Sequence, residues 1–212
     1  MAILSMDDAG WRTFTSRHPR ALPFHEPAWA ELVADCYGFR AFAVVVRGSG
    51  GDIAAGLPLV EGRHLVGRPR WVSLPFTDYC PPLAETDEQE TALAAEVGAV
   101  AAAASVATVE VRAAMRGATP LPGSSMRHLL ALDPDPAAVY ARFHPSQVQR
   151  NIRRAEREGL TIRRSVEPDD LVTTFYNLHL ATRRRQGVPI QPRRFFRLIA
   201  ERVLSTGGGW VD

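Results

Sequence analysis

Between residues 41 and 60 the sequence commits itself to a hairpin. Ala41 to Arg47 is a β-branched, apolar run, Ser49-Gly50-Gly51-Asp52 is a turn signal, and Ile53 to Val60 is the return strand. Gly67 to Pro69 breaks the chain again, and Arg70 to Leu74 reads as a third strand. Three adjacent strands joined by short turns predict an antiparallel meander.

Helical patterns lie on both sides. Ser5 is the expected N-cap of a first helix running to about His18, with acids near its positive end and Trp11 and Phe14 inward. After a connector, Trp29, Leu32, Val33 and Cys36 recur at i, i+3, i+4 and i+7, and Gly38 is a natural stop. Residues 75–85 form a proline-rich loop. Thr86 and Gln89 then fit a capping box, opening a helix with Leu93, Val97, Val100 and Ala104 inward. Thr108 to Arg112 and His128 to Leu132 read as strands, with a flexible loop at 117–125 between them. The expected order over the first 135 residues is α-α-β-β-β-α-β-β, a mixed sheet with helices packed on it.

The remainder reads as helix-rich. A short helix is expected at 136–143, and Ser146 with Gln149 suggests a second capping box for a helix closed by Gly159. Leu160 to Val166 looks like a strand. Two further helices follow, one with Leu171, Phe175, Leu178 and Thr182 inward, the other at about 192–204 with Phe195, Phe196, Ile199 and Val203 inward. Trp210-Val211-Asp212 looks like a strand just starting. The order from 160 onward repeats helices followed by a strand. That predicts three segments: a first domain over 1–144, a connecting helix over 145–159, and the opening part of a second domain over 160–212.

Charge narrows the function classes. All 25 basic residues are arginine, so catalytic lysines, lysine Schiff bases and Walker lysines are excluded. The net charge of +2 hides an asymmetry. Residues 1–141 carry 11 Arg against 16 acids, whereas residues 142–202 carry 14 Arg against 6. A basic segment of that density suggests an anionic partner. Cys36 and Cys80 are too few for a four-cysteine zinc site and read as free thiols of a reducing compartment. The six histidines are scattered without metal-ligand spacing, so no metal is expected. The amino-terminal stretch lacks signal-peptide features, and the longest small, apolar run, 97–109, is shorter than the about 20 residues a membrane span needs. A cytoplasmic location without a membrane span is expected.

Two groups of residues can carry chemistry. Arg150, Arg153, Arg154 and Arg157 fall opposite Val148, Ile152 and Ala155 on a helical wheel. Arginine forks match phosphate oxygens bidentately, so the stripe suits a nucleotide-diphosphate acceptor or an RNA backbone. A solvated face with local pairs to Glu156 and Glu158 is the rival reading. The loop Phe76-Thr77-Asp78-Tyr79 offers a carboxylate and a phenol beside prolines. Asp78 could accept a proton from an amine, and Trp29 could wall the same cleft, although its apolar stripe favours core packing. Arg183-Arg184-Arg185 sits where the helix dipole favours cations. There is no Gly-x-Ser-x-Gly elbow, no His-Glu-x-x-His and no Walker loop, and the sequence identifies no catalytic residue.

Four stretches resemble FemAB-like proteins, the tandem GNAT-type acyl- and aminoacyl-transferases that include the BioF2-like acetyltransferase branch. They are Leu22-Pro-Phe-His-Glu-Pro-Ala-Trp29, Pro75-Phe-Thr-Asp-Tyr-Cys-Pro-Pro-Leu-Ala84, Asn151-Ile-Arg-Arg-Ala-Glu-Arg-Glu-Gly159, and Thr182-Arg-Arg-Arg-Gln-Gly-Val-Pro189 with Pro192 and Phe195-Phe196. The resemblance implies a GNAT-like, mostly antiparallel α/β sheet flanked by helices, followed by the helical start of a second GNAT-like domain that is cut short. It implies transfer of an acyl or aminoacyl group to an amine, with an anionic or peptidoglycan-type acceptor near the first domain. Acyl-CoA or aminoacyl-tRNA would be the donor, handled through the second domain, so the fragment alone would be inactive. The GNAT pyrophosphate turn is missing after Leu74, where Pro75 lacks a donor, so no cofactor is expected on the first domain. A non-catalytic anion- or RNA-binding module on a degenerate GNAT fold is the alternative, and DNA is not an expected partner.

Overall fold

A computed structural model of the chain describes residues 2–62, 67–122 and 127–212. His64 and the far end of the expected 117–125 loop lie outside the described residues. The chain divides into two compact units, Met1–Pro120 with Val166–Val211, and Leu121–Ser165 with Asp212. The expected divisions at 144/145 and 159/160 follow element order; these boundaries follow packing.

The first unit is a mixed α/β fold built on an open sheet. Its strands are β1 (Ile3–Ser5), β2 (Arg40–Arg47), β3 (Ile53–Gly62), β4 (Arg70–Val72), β5 (Leu83–Ala84) and β6 (Thr108–Glu110). They lie in the order β1-β2-β3-β4-β6, with β5 also paired to β3. The expected meander is present: β2 pairs β3 and β3 pairs β4, both antiparallel. The β4–β6 pair is parallel, with Trp71 opposite Val109. A parallel pair needs a crossover, and α3 (Asp87–Ala103) supplies it.

The unbroken apolar run of β2 has a physical reason: the sheet is covered on both faces. Ala43 and Val45 join one core with Trp11, Leu32, Val33, Phe195 and Phe196, from α1 (Ala9–Arg17), α2 (Pro27–Tyr37) and a later helix, Arg193–Ile199. Phe42 and Val44 join the other, with Leu57, Leu59, Trp71 and the α3 residues Leu93, Val97 and Ala101. The period of two therefore sorts one strand's side chains into two cores. Arg40, Glu61 and Trp71 are register neighbours across three strands. The buried Glu61 accepts from Arg40 at 3.1 Å and from the Trp71 indole at 2.9 Å, which satisfies both charge and ring donor. Gly56 is required by close approach: a Cβ there would sit 2.5 Å from the Trp11 ring.

Several expectations are corrected. Ser5 ends β1 and caps nothing; Asp8 caps α1, its carboxylate accepting from the Trp11 amide at 3.1 Å. Ile3–Ser5 find Phe42–Val44 opposite them, a long-range pairing that no local pattern signals. β5 lies inside the stretch expected to be loop. The Thr86/Gln89 capping box forms as expected. Beyond residue 166, a π-type turn at Asp170–Phe175 leads into α6 (Tyr176–Gln186), closed by Gly187 at φ 67°. The helix Arg193–Ile199 runs on into a second such turn, Ala200–Leu204. Trp210-Val211-Asp212 forms no strand of two or more residues.

Among its described residues the second unit has helices but no sheet. Its elements are α4 (Pro136–Ala141), a π-type turn at Pro145–Gln149 and α5 (Arg150–Arg157). The strand expected at 128–132 does not form; Leu129, Leu130 and Leu132 are 77%, 54% and 77% exposed. The strand expected at 160–166 forms no ladder either, and Ile162 is exposed. The second capping box is absent because Ser146 turns its hydroxyl to His144 at 3.2 Å. Gln149 instead donates to the carbonyls of Tyr140 and Phe143, closing the end of α4.

Candidate functional site

The loop that follows β4 is pinned at both ends. The Ser73 amide donates to Glu110 O at 2.8 Å; its hydroxyl accepts from the Arg112 amide at 2.7 Å and donates to Cys80 O at 3.1 Å. The Cys80 amide donates to Arg112 O at 3.0 Å, and Thr77 Oγ1 donates to Leu74 O at 2.8 Å. Between these anchors Leu74 and Phe76 hold φ values of 65° and 66°, a left-handed region that side chains resist. Such strain persists only where surrounding bonds over-determine the backbone.

The strain turns Phe76 outward. Its ring is 47% exposed, yet it stacks on Tyr37 at 4.7 Å and lies edge-on to Phe195 at 6.1 Å. Trp29 meets the same Phe195 ring at 6.5 Å and Phe24 at 5.1 Å, and its indole Nε1 is buried without a partner among the described residues. Phe76 and Trp29 are thus gathered around one aromatic side chain. Asp78 is exposed beside them in sequence and Tyr79 is half-buried.

His25 supports the loop from behind, a role that sequence reasoning missed. Its Nδ1 accepts from the Leu22 amide at 2.9 Å, so Nε2 carries the proton and donates to Pro81 O at 2.9 Å. Burial holds its pKa below the usual histidine value. With both nitrogens engaged, His25 is a brace and not a base. No signal in the sequence marks a bond spanning 56 residues. Burial pushes the Cys80 thiol up to about 12 and raises Cys36, and both cysteines are free thiols. Neither is an activated nucleophile.

The arginine candidates lie in the second unit. On α5, Arg150, Arg153, Arg154 and Arg157 are all exposed and Ile152 and Ala155 half-buried, as the wheel predicts, whereas Val148, expected on the same apolar side, lies in the preceding π-type turn and is exposed. Arg154 pairs with Glu158 at 2.7 Å, and Arg153 reaches back to Gln149 O at 3.3 Å. Arg150 and Arg157 have no ion partner among the described residues. The other arginine run is spread around the end of α6, where Arg183 approaches His179 at 3.5 Å.

No group of three or more His, Cys, Asp or Glu among the described residues could hold a metal ion, and none of their helices is long and apolar enough to cross a membrane. Compared with known proteins, the chain matches no family model and no curated sequence.

Proposed function

We infer that the chain is of the FemAB-like acyl- or aminoacyl-transferase type on a GNAT-like fold, acting on an amine acceptor that carries phosphate or comparable anionic groups. The observation that carries this reading is the arginine face of α5: four exposed guanidinium groups within eight residues, two with no ion partner among the described residues. Such forks hold phosphate oxygens in pairs and favour a diphosphate linkage over a single point charge. Two further features support it. The mostly antiparallel sheet flanked by helices fits the kind of fold that the resemblance implies. The anchored loop presents Phe76, Asp78 and Tyr79 from a rigid backbone, as a substrate-positioning loop requires.

In this reaction the acceptor amine attacks the donor's acyl carbonyl. The amide bond forms, the ester or thioester bond to the carrier breaks, and the amine proton leaves with the carrier's oxygen or sulfur. Positioning supplies much of the rate, so no covalent enzyme intermediate is needed. The donor is acyl-CoA or aminoacyl-tRNA. A nucleotide-linked acceptor places the reaction in the cytoplasm.

The test is calorimetric titration with UDP-N-acetylmuramoyl-pentapeptide. The reading expects saturable binding that weakens about tenfold or more when Arg150→Ala and Arg154→Ala are combined, each removing a charge-assisted hydrogen bond. Equal affinity of wild type and double variant overturns the acceptor site. The exposed arginine face also supports a second reading, a non-catalytic anion- or RNA-binding module. That reading predicts binding of unrelated anions with one steep salt dependence.

A further inference from the structure

The first unit contains a cleft that none of the candidates above explains. Its volume is about 640 Å³, within the range of small-molecule sites. One wall is α1, the second is the β2–β3 hairpin end, and the third is the stretch leading into α3. His18 is the one buried residue in its lining, at 7% exposure. The His18 Nδ1 accepts from the Arg20 amide at 3.2 Å, so the ring proton sits on Nε2. That N–H is buried and has no partner among the described residues. A buried donor left unmatched costs about 1–3 kcal/mol, which makes a missing acceptor the first explanation to test.

The rim carries both signs of charge without neutralising itself. Arg17 and Arg47 line it together with Asp52 and Glu85, and none of the four forms an ion pair among the described residues. Arg47 spends one donor on Gly51 O at 2.7 Å; its other donors are uncommitted. Between the charges, Phe14 and Ile53 add apolar surface. Two cations, two carboxylates and one buried N–H around an apolar patch match a small molecule bearing a carboxylate, an ammonium group and an apolar side chain.

We propose that this cleft binds a free α-amino acid or comparable zwitterion. The carboxylate is held by the His18 Nε2–H and the Arg17 guanidinium, and the ammonium group by Glu85 and Asp52. The apolar side chain lies against Phe14 and Ile53. Nothing in this arrangement depends on α5 or on the loop after β4, so the proposal stands apart from the transferase reading.

The experiment titrates the full chain with L-phenylalanine, 3-phenylpropionate and 2-phenylethylamine by calorimetry, and follows the His18 Nε2–H resonance by NMR. The proposal expects saturable binding of L-phenylalanine, at least about tenfold weaker binding of the two analogues, and movement of the His18 resonance with L-phenylalanine and, at higher concentration, with 3-phenylpropionate, but not with 2-phenylethylamine. Arg17→Ala and Glu85→Gln, both at exposed positions, each weaken L-phenylalanine binding by a similar factor while leaving the thermal midpoint unchanged. Absence of L-phenylalanine binding overturns the proposal. Equal binding of all three compounds also overturns it, because the charges would then be irrelevant.

Discussion

Residues 41–47 and 128–132 are both apolar runs of strand-forming character, yet one becomes the centre of a sheet and the other stays unpaired. β2 has β1 and β3 as hydrogen-bonding neighbours and helices on both faces. The 128–132 run has neither, and its leucines face solvent. The same contrast separates the two units. The first buries two apolar cores; among its described residues the second buries no apolar side chain at all. Strand propensity describes how well a segment fits a pleated, half-buried surface, and without that surface it dictates little.

The largest effect that tests this contrast is a pair of truncations. Leu57→Ala removes a fully buried side chain and should cost about 2–5 kcal/mol in urea unfolding, whereas Leu130→Ala should change stability by less than about 0.5 kcal/mol. Equal costs would break the comparison. Gly56→Ala comes next. It drives a methyl into the Trp11 ring and should cost about 1–3 kcal/mol, and much of that loss should be recovered when Trp11→Leu is added.

The two sequence capping boxes supply a finer test. Thr86→Ala should destabilise by about 1 kcal/mol because Thr86 caps α3, and Ser146→Ala should be neutral because Ser146 caps nothing. The smallest effect is a pH slope. Burial lowers the pKa of both His18 and His25, and both lie in the first unit. The unfolded chain therefore takes up protons first as pH falls. Their contribution to stability is complete above about 6.5 and is lost as pH drops from there through the lower folded values. His25→Gln should flatten that slope in urea titrations at successive pH values.

Local chemistry made much of the first unit legible. The hairpin at 41–60, the glycine stop at Gly38 and the Thr86 cap depend on neighbours a few residues away. What escaped depends on distant partners. Ile3–Ser5 became a strand through β2, and Leu83–Ala84 through β3. Ser146 carried the local signature of a cap, but its hydroxyl turns to His144 and its expected partner Gln149 is drawn to α4. The site followed the same rule. The arginine face of α5 is a matter of helical period alone and could be read directly. The strained backbone around Phe76 and the His25 brace exist only because β6 and the 22–27 connector arrive at that loop. The His18 cleft is assembled from three separate stretches, none of which carries a motif of its own.

Amide hydrogen exchange tests the central contrast most directly. Amides of β2 and β3 should exchange only with global unfolding, and those of 127–132 and 160–164 at rates close to an unstructured peptide. Protection of the 128–132 amides comparable to that of 42–46 would contradict the account, because it would mean that this segment has found a sheet.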